Sequence, residues 1–78
     1  MKTKTKPQSL QAYLALNYPI TLYPEADGGY TAILPDLPGC LSQGDTLEEA
    51  VNNVQDAKLA WLETAWDCGD PIPMPAER

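Results

Sequence analysis

Hydrophobic positions along the chain switch between a helical and a strand period, and each switch marks an element. Leu10, Tyr13 and Leu14 fall three and four residues apart behind Ser9, a residue suited to accept an orphaned backbone N–H at a helix start. This predicts a short helix over Leu10 to Leu16. Asn17 and Pro19 stop it, because the residue before a proline is pushed out of the helical region. From Tyr18 to Tyr23 the period drops to two, with Tyr18, Ile20 and Leu22 on one face and Thr21 and Tyr23 on the other. Such alternation predicts a strand. Tyr30 to Leu34 repeats it, and Asp27-Gly28-Gly29 in the intervening loop tolerates the positive φ angles of a hairpin, so the two strands should pair antiparallel.

Pro35 ends the second strand, and Pro38-Gly39 suits the central pair of a type II turn, where proline presets φ and glycine accepts the positive value that follows. A third strand is expected over about Cys40 to Gln43. Gly44 breaks it. Thr46 and Glu49 then form a capping box, and Glu48 and Glu49 sit where the helix dipole favours negative charge. The helix that follows should run to about Cys68, with Gly69 as its cap and Pro71 preventing re-entry.

Leu47, Ala50, Val51, Val54, Ala57, Trp61 and Ala65 form its main apolar stripe. At about 1.5 Å per residue this helix is roughly 30 Å long and overhangs strands of roughly 17 to 20 Å. Beyond it, Pro71, Pro73 and Pro75 alternate with Ile72 and Met74, a composition that favours an extended tail with Ile72 as its anchor. The fold class is therefore α+β: a three-stranded antiparallel sheet with one long helix packed on it and a short N-terminal helix. Residues 1–8 read as a flexible basic arm, 9–75 as a single domain and 76–78 as a fraying end.

A chain of 78 residues buries only about 60% of the surface its unfolded form exposes, so its core is small and an associated chain is the expected source of extra stability. Cys40 and Cys68 are too few for a disulfide framework, and they read as reduced thiols buried as small apolar residues. No apolar run reaches the roughly 18 residues of a membrane span, which predicts a cytoplasmic protein with no membrane partner.

Net charge is −6, but its distribution says more. Lys2, Lys4 and Lys6 precede the first acid; from Glu25 onward all eleven acids occur against Lys58 and Arg78 alone. An acidic folded part repels phosphates, so direct nucleic-acid binding is not expected and a basic partner is.

The acids invite a search for a magnesium-dependent nuclease, which needs several converging carboxylates. Asp27, Asp36 and Asp45 lie in or beside turns, where aspartate accepts backbone hydrogen bonds, and Asp56 falls on the polar side of the helix. Histidine is absent, which removes the usual proton-transfer group near neutral pH and leaves Cys40 without the base of a thiol nucleophile. No enzyme activity, cofactor or metal is expected.

Trp61 and Trp66 point well over a right angle apart on a helix, so one face cannot bury both. Leu59, Leu62 and Trp66 make a second apolar strip, to be covered by the N-terminal helix through Tyr13 and Leu14 or by another chain. Tyr23, Thr31 and Ile33 give the second sheet face some apolar area as well, and an edge strand leaves backbone groups unpaired. These features predict a homo-oligomer, a dimer or tetramer, with Leu59, Leu62 and Trp66 as self-association candidates.

From Tyr18 onward the chain resembles the N-terminal domain of HicB-like antitoxins: Asp27-Gly28-Gly29-Tyr30 resembles the family's hairpin, Leu37-Pro38-Gly39-Cys40 its turn, and Gly44-Asp45-Thr46 with Glu48-Glu49-Ala50 its helix start. Tyr13-Leu14 and Ile72-Pro73 are similar to a short, free-standing subgroup. The resemblance implies a partial ribonuclease-H-like fold with room for a further edge strand. It also implies masking of a HicA-type toxin, a small basic mRNA-cleaving protein. Asp27, Tyr30, Asp36, Leu37 and Asp45 are then candidates for the partner surface. Many members add a C-terminal DNA-binding domain; this sequence stops before one, so operator binding is not expected. A stand-alone oligomeric interaction module with no toxin is the alternative reading, and a metal-dependent nuclease a more distant one.

Overall fold

Two residues past the end of the third strand, Thr46 starts the long helix. Its backbone is extended (φ −121°, ψ 164°) and its hydroxyl accepts from the Glu49 N–H at 3.1 Å. The Glu49 carboxylate returns the bond one residue further back than a standard capping box, taking the Asp45 N–H at 2.9 Å. Such a cap is worth about 1 kcal/mol. At the other end Gly69 adopts the left-handed conformation (φ 72°) that lets its N–H reach the last carbonyls.

The computed structural model describes residues 8–75; the expected basic arm, except Gln8, and the fraying end at 76–78 lie outside them. The elements, in chain order, are helix α1 (Leu10–Leu14), strands β1 (Thr21–Pro24), β2 (Tyr30–Ile33) and β3 (Leu41–Gly44), and helix α2 (Leu47–Cys68). The strands form one antiparallel sheet in the order β1-β2-β3, and α2 packs along it with α1 against α2. This is the expected α+β arrangement.

Local differences have local causes. Helix α1 closes at Leu14 with Ala15 as its C-cap: the Ala15 N–H makes the last α-helical bond, to the Gln11 carbonyl, and the Leu16 N–H tightens to the Tyr13 carbonyl three residues back. Pairing in β1 begins at Thr21, not Tyr18, since Pro19 has no N–H to offer a ladder. The third strand is shifted one residue late because Cys40 is still part of the Leu37–Cys40 turn, its N–H donating to the Leu37 carbonyl at 3.0 Å around Gly39 at φ 79°. No fourth strand joins the sheet among the described residues. The proline-rich tail runs extended instead, anchored by buried Ile72 and by the Tyr18 hydroxyl, which donates to the Pro73 carbonyl at 2.6 Å.

One core fills the space between sheet and helix. Ala32, Leu34, Leu37 and Cys40 from the sheet side meet Ala50, Val54, Leu62 and Ala65 of α2, with Tyr13, Tyr18 and Ile72 closing the ends. Leu34, Leu37 and Leu62 are fully buried, each contributing roughly 2 kcal/mol by leaving water. Two expectations change here. Leu62 is not on a surface flank: α1 and the tail widen the buried arc of α2 until Leu62 is inside it. Cys68 is exposed on the last helical turn, whereas Cys40 is buried as expected.

Register decides what the second sheet face carries. Thr21, Ile33 and Leu41 form one cross-strand row and Tyr23, Thr31 and Gln43 the next. Both rows point away from α2. Leu41 is 55% exposed and Tyr23 51%.

Candidate partner-binding site

The pairing of Tyr30 with Gly44 sets the β1–β2 hairpin loop beside the start of α2. Neither glycine at this junction has space for a side chain. A Cβ on Gly29 would lie 3.0 Å from the Gly44 carbonyl oxygen, and one on Gly44 would lie 2.5 Å from the Ala50 nitrogen and 2.7 Å from the Glu49 Cβ. Close backbone approach thus brings Glu25 and Asp27 of the loop next to Asp45 and Glu49 of the helix start.

These four carboxylates rim an open cleft of about 670 Å³, with Tyr30, Gln43 and Asn53 along its floor and sides. Two of the acids are tied down: Glu25 accepts from the Thr31 hydroxyl at 2.7 Å and Glu49 from the Asp45 N–H. The Asp27 and Asp45 carboxylates are exposed and make no hydrogen bond or ion pair among the described residues. Lys58, the one cation among the described residues, lies elsewhere, with its ammonium 6.0 Å above the Tyr18 ring. The cleft is therefore uniformly acidic. It can attract and orient a cationic surface, an effect felt mainly in encounter rate and specificity.

Three of the five candidate partner residues, Asp27, Tyr30 and Asp45, meet in this cleft. The other two do not. Leu37 is fully buried and packs inward, because the turn that follows β2 folds it over the core. Asp36 is half-buried at the same turn, close enough to Tyr18 for its charge to act on the phenol. Glu25, Glu49 and Asn53 belong to the cleft without having been singled out. The signal that finds them is the facing of Tyr30 and Gly44, a tertiary register that spacing along the chain does not reveal.

Of the self-association candidates, Leu59 and Trp66 are each 41% exposed. Trp66 packs edge-on against Tyr13 of α1, ring centroids 6.1 Å apart at 62°, so the N-terminal helix covers part of this flank.

No histidine accompanies the acids. Burial pushes the Cys40 thiol above its ordinary value, only partly opposed by the Lys58 charge, which keeps it protonated and a poor nucleophile. Tyr18 is pushed up to about 12, first by burial and then by the neighbouring Tyr13 and Asp36. Among the described residues no three cysteine, aspartate or glutamate side chains are grouped to hold a metal, and no helix is long and apolar enough to cross a membrane.

A family model described as the HicB_like antitoxin of bacterial toxin-antitoxin systems matches residues 18–77. The chain belongs to this HicB-like antitoxin family. It is 48% identical over 58 residues to a UPF0150 protein of Synechocystis sp., covering 74% of this chain and 80% of that protein. It is 42% identical over 60 residues to Antitoxin HicB 1 of Photorhabdus laumondii and 36% identical over 61 residues to Antitoxin HicB of Escherichia coli. Those alignments cover 77% and 78% of this chain but only 39% and 44% of the two antitoxins, so the HicB-like segment spans less than half of each. The HicB-like match takes in every cleft residue from Glu25 to Asn53 and leaves out α1, the helix that packs on Trp66.

Proposed function

We propose that this HicB-like chain is a non-enzymatic antitoxin of a type II pair, acting in the cytoplasm by binding a basic HicA-type toxin and covering its RNA-cleaving surface. The observation that carries the reading is the rim of four carboxylates at the hairpin and helix start, with Asp27 and Asp45 unengaged and no cation among the lining residues. A toxin that grips RNA must present positive charge, and an acidic rim on a rigid junction is complementary to it. Glu25 and Glu49, already hydrogen-bonded, serve as oriented acceptors at the edges of the contact. Family membership supports a toxin as the kind of partner, and the acidity of the cleft supports it as the contact surface.

Mixing the purified chain with a HicA toxin tests this directly. The expected result is a stable complex and loss of RNA cleavage, with Asp27→Lys plus Asp45→Lys restoring cleavage. Absence of both a complex and inhibition would sink the proposal.

A second reading is favoured by one comparison: a relative matched over most of its length is named only as a UPF0150 protein. On that reading the chain is a stand-alone interaction module with no toxin. It predicts that the acidic cleft captures a basic partner that does not cleave RNA.

A further inference from the structure

Beyond Gly69 the tail, residues 70–75, folds back onto the core with hardly any backbone stitching. The Asp70 N–H closes the helix end on the Ala65 carbonyl at 2.9 Å. From there Pro71, Pro73 and Pro75 have no N–H to give, and among the described residues the Ile72 and Met74 N–H groups donate to nothing. The tail is held instead by the Ile72 side chain, 8% exposed within the core, and by the Tyr18 hydroxyl on the Pro73 carbonyl at 2.6 Å. Met74 is only partly buried against the same core. Asp70 and Pro71 also border two grooves. One, of about 520 Å³, is shared with Cys40, Leu41, Ala60 and Trp61; the other, of about 330 Å³, is shared with Tyr13 and Trp66. A segment bordered by open space has few atoms packed against it, so lifting it forfeits little dispersion attraction.

We propose that the tail is a strap that swings on Gly69 and opens as a unit while the sheet and both helices stay folded, merging the two grooves and uncovering Cys40. Gly69 suits the hinge: it is exposed and left-handed (φ 72°), and without a Cβ it crosses between backbone regions freely. The prolines suit the strap, because a chain already restricted to extended conformations moves as a stiff piece and loses little entropy when it docks again. Opening exposes the seat of one large side chain, whereas unfolding exposes the whole core, so the strap opens far more often than the protein unfolds. Cys40 reports the event. It is 3% exposed, belongs to the same core cluster as Ile72, and lines the groove that Asp70 and Pro71 border. Val54, fully buried and bordering neither groove, belongs to the part that stays closed. The device does not depend on a toxin, and its test uses the chain alone.

Thiol labelling with a small aromatic disulfide reagent, at fixed pH and low reagent concentration, measures the open population. The chain carries Cys68→Ser for this purpose, since Cys68 is exposed and would mask the signal. Well below the urea midpoint Cys40 should label at a plateau rate nearly independent of urea, turning steep only where the whole chain unfolds. Tyr18→Phe, which keeps the ring and removes the hydroxyl, should raise the plateau roughly fivefold, the factor of one hydrogen bond. Ile72→Ala should raise it roughly tenfold or more. Val54→Ala should lower the urea midpoint yet leave the plateau where it was. The proposal is overturned by Cys40 labelling that follows global unfolding at every urea concentration, by a wild-type rate equal to that of a free cysteine, by a plateau that rises in Val54→Ala as much as stability falls, or by a plateau that neither Tyr18→Phe nor Ile72→Ala moves.

Discussion

The indole N–H of Trp61 donates to the Pro38 carbonyl across 2.8 Å, joining the middle of the long helix to the turn between the second and third strands. Residues 23 positions apart are thereby held in one geometry. The bond fixes where α2 lies on the sheet edge, and with it the shape of the groove beside Leu41. Pro38 has no N–H, but its carbonyl is free of the turn's own hydrogen bond, which uses Leu37 and Cys40.

Trp61→Phe keeps an aromatic ring in place and deletes only the donor. A loss of about 1 kcal/mol is expected in urea unfolding, the size of one hydrogen bond. Trp61→Ala should cost more, because packing goes as well.

Gly44→Ala should be the most damaging single methyl in the chain. The added carbon would meet the Ala50 nitrogen at 2.5 Å and the Glu49 Cβ at 2.7 Å, backbone and near-backbone atoms that can move only if the helix start moves. About 3 kcal/mol is expected, from overpacking together with disturbance of the Thr46 cap. Thermal unfolding of the variant, compared with Thr46→Ala, separates the two parts.

Charge reversal distinguishes the cleft from the general acidity of the molecule. Asp27→Lys and Asp45→Lys should each weaken toxin binding several-fold, mainly through a slower association rate, while Asp56→Lys on the helix surface should do much less. Surface plasmon resonance at two salt concentrations measures this. Binding to a basic toxin should weaken as salt rises.

Tyr18 gives stability a specific alkaline dependence. In the unfolded chain its phenol ionises near the ordinary value of 10, and in the folded chain near 12. Its contribution is complete below pH 10 and declines from there through pH 12, because the unfolded state releases its proton first. Cys40, also pushed up, acts in the same direction from lower pH. Tyr18→Phe should flatten the Tyr18 share of the decline and leave that of Cys40. Urea midpoints across this range, for wild type and variant, provide the check.

Local backbone rules made much of the fold legible. The Thr46 cap, the positive φ at Gly39 and the left-handed Gly69 each follow from what one or two residues can do, and each stands where spacing predicts. Leu62 was not legible in that way: its angle on α2 places it on a flank, and only the docking of α1 and the Ile72 tail turns that flank into interior. Leu37 resembles a turn residue in sequence, yet the turn exists to fold it inward. The cleft was half legible, through Asp27, Tyr30 and Asp45. The rest needed the pairing of β2 with β3, which no local pattern encodes.

Glu49 holds two posts at once, fastening the Asp45 amide at the helix start and lining the acidic cleft. A visitor that drew its carboxylate away would loosen the first coil of the long helix, so occupancy of the cleft should be felt as altered fraying there. Any replacement at this position is therefore registered twice, once in how the chain holds together and once in what it can hold.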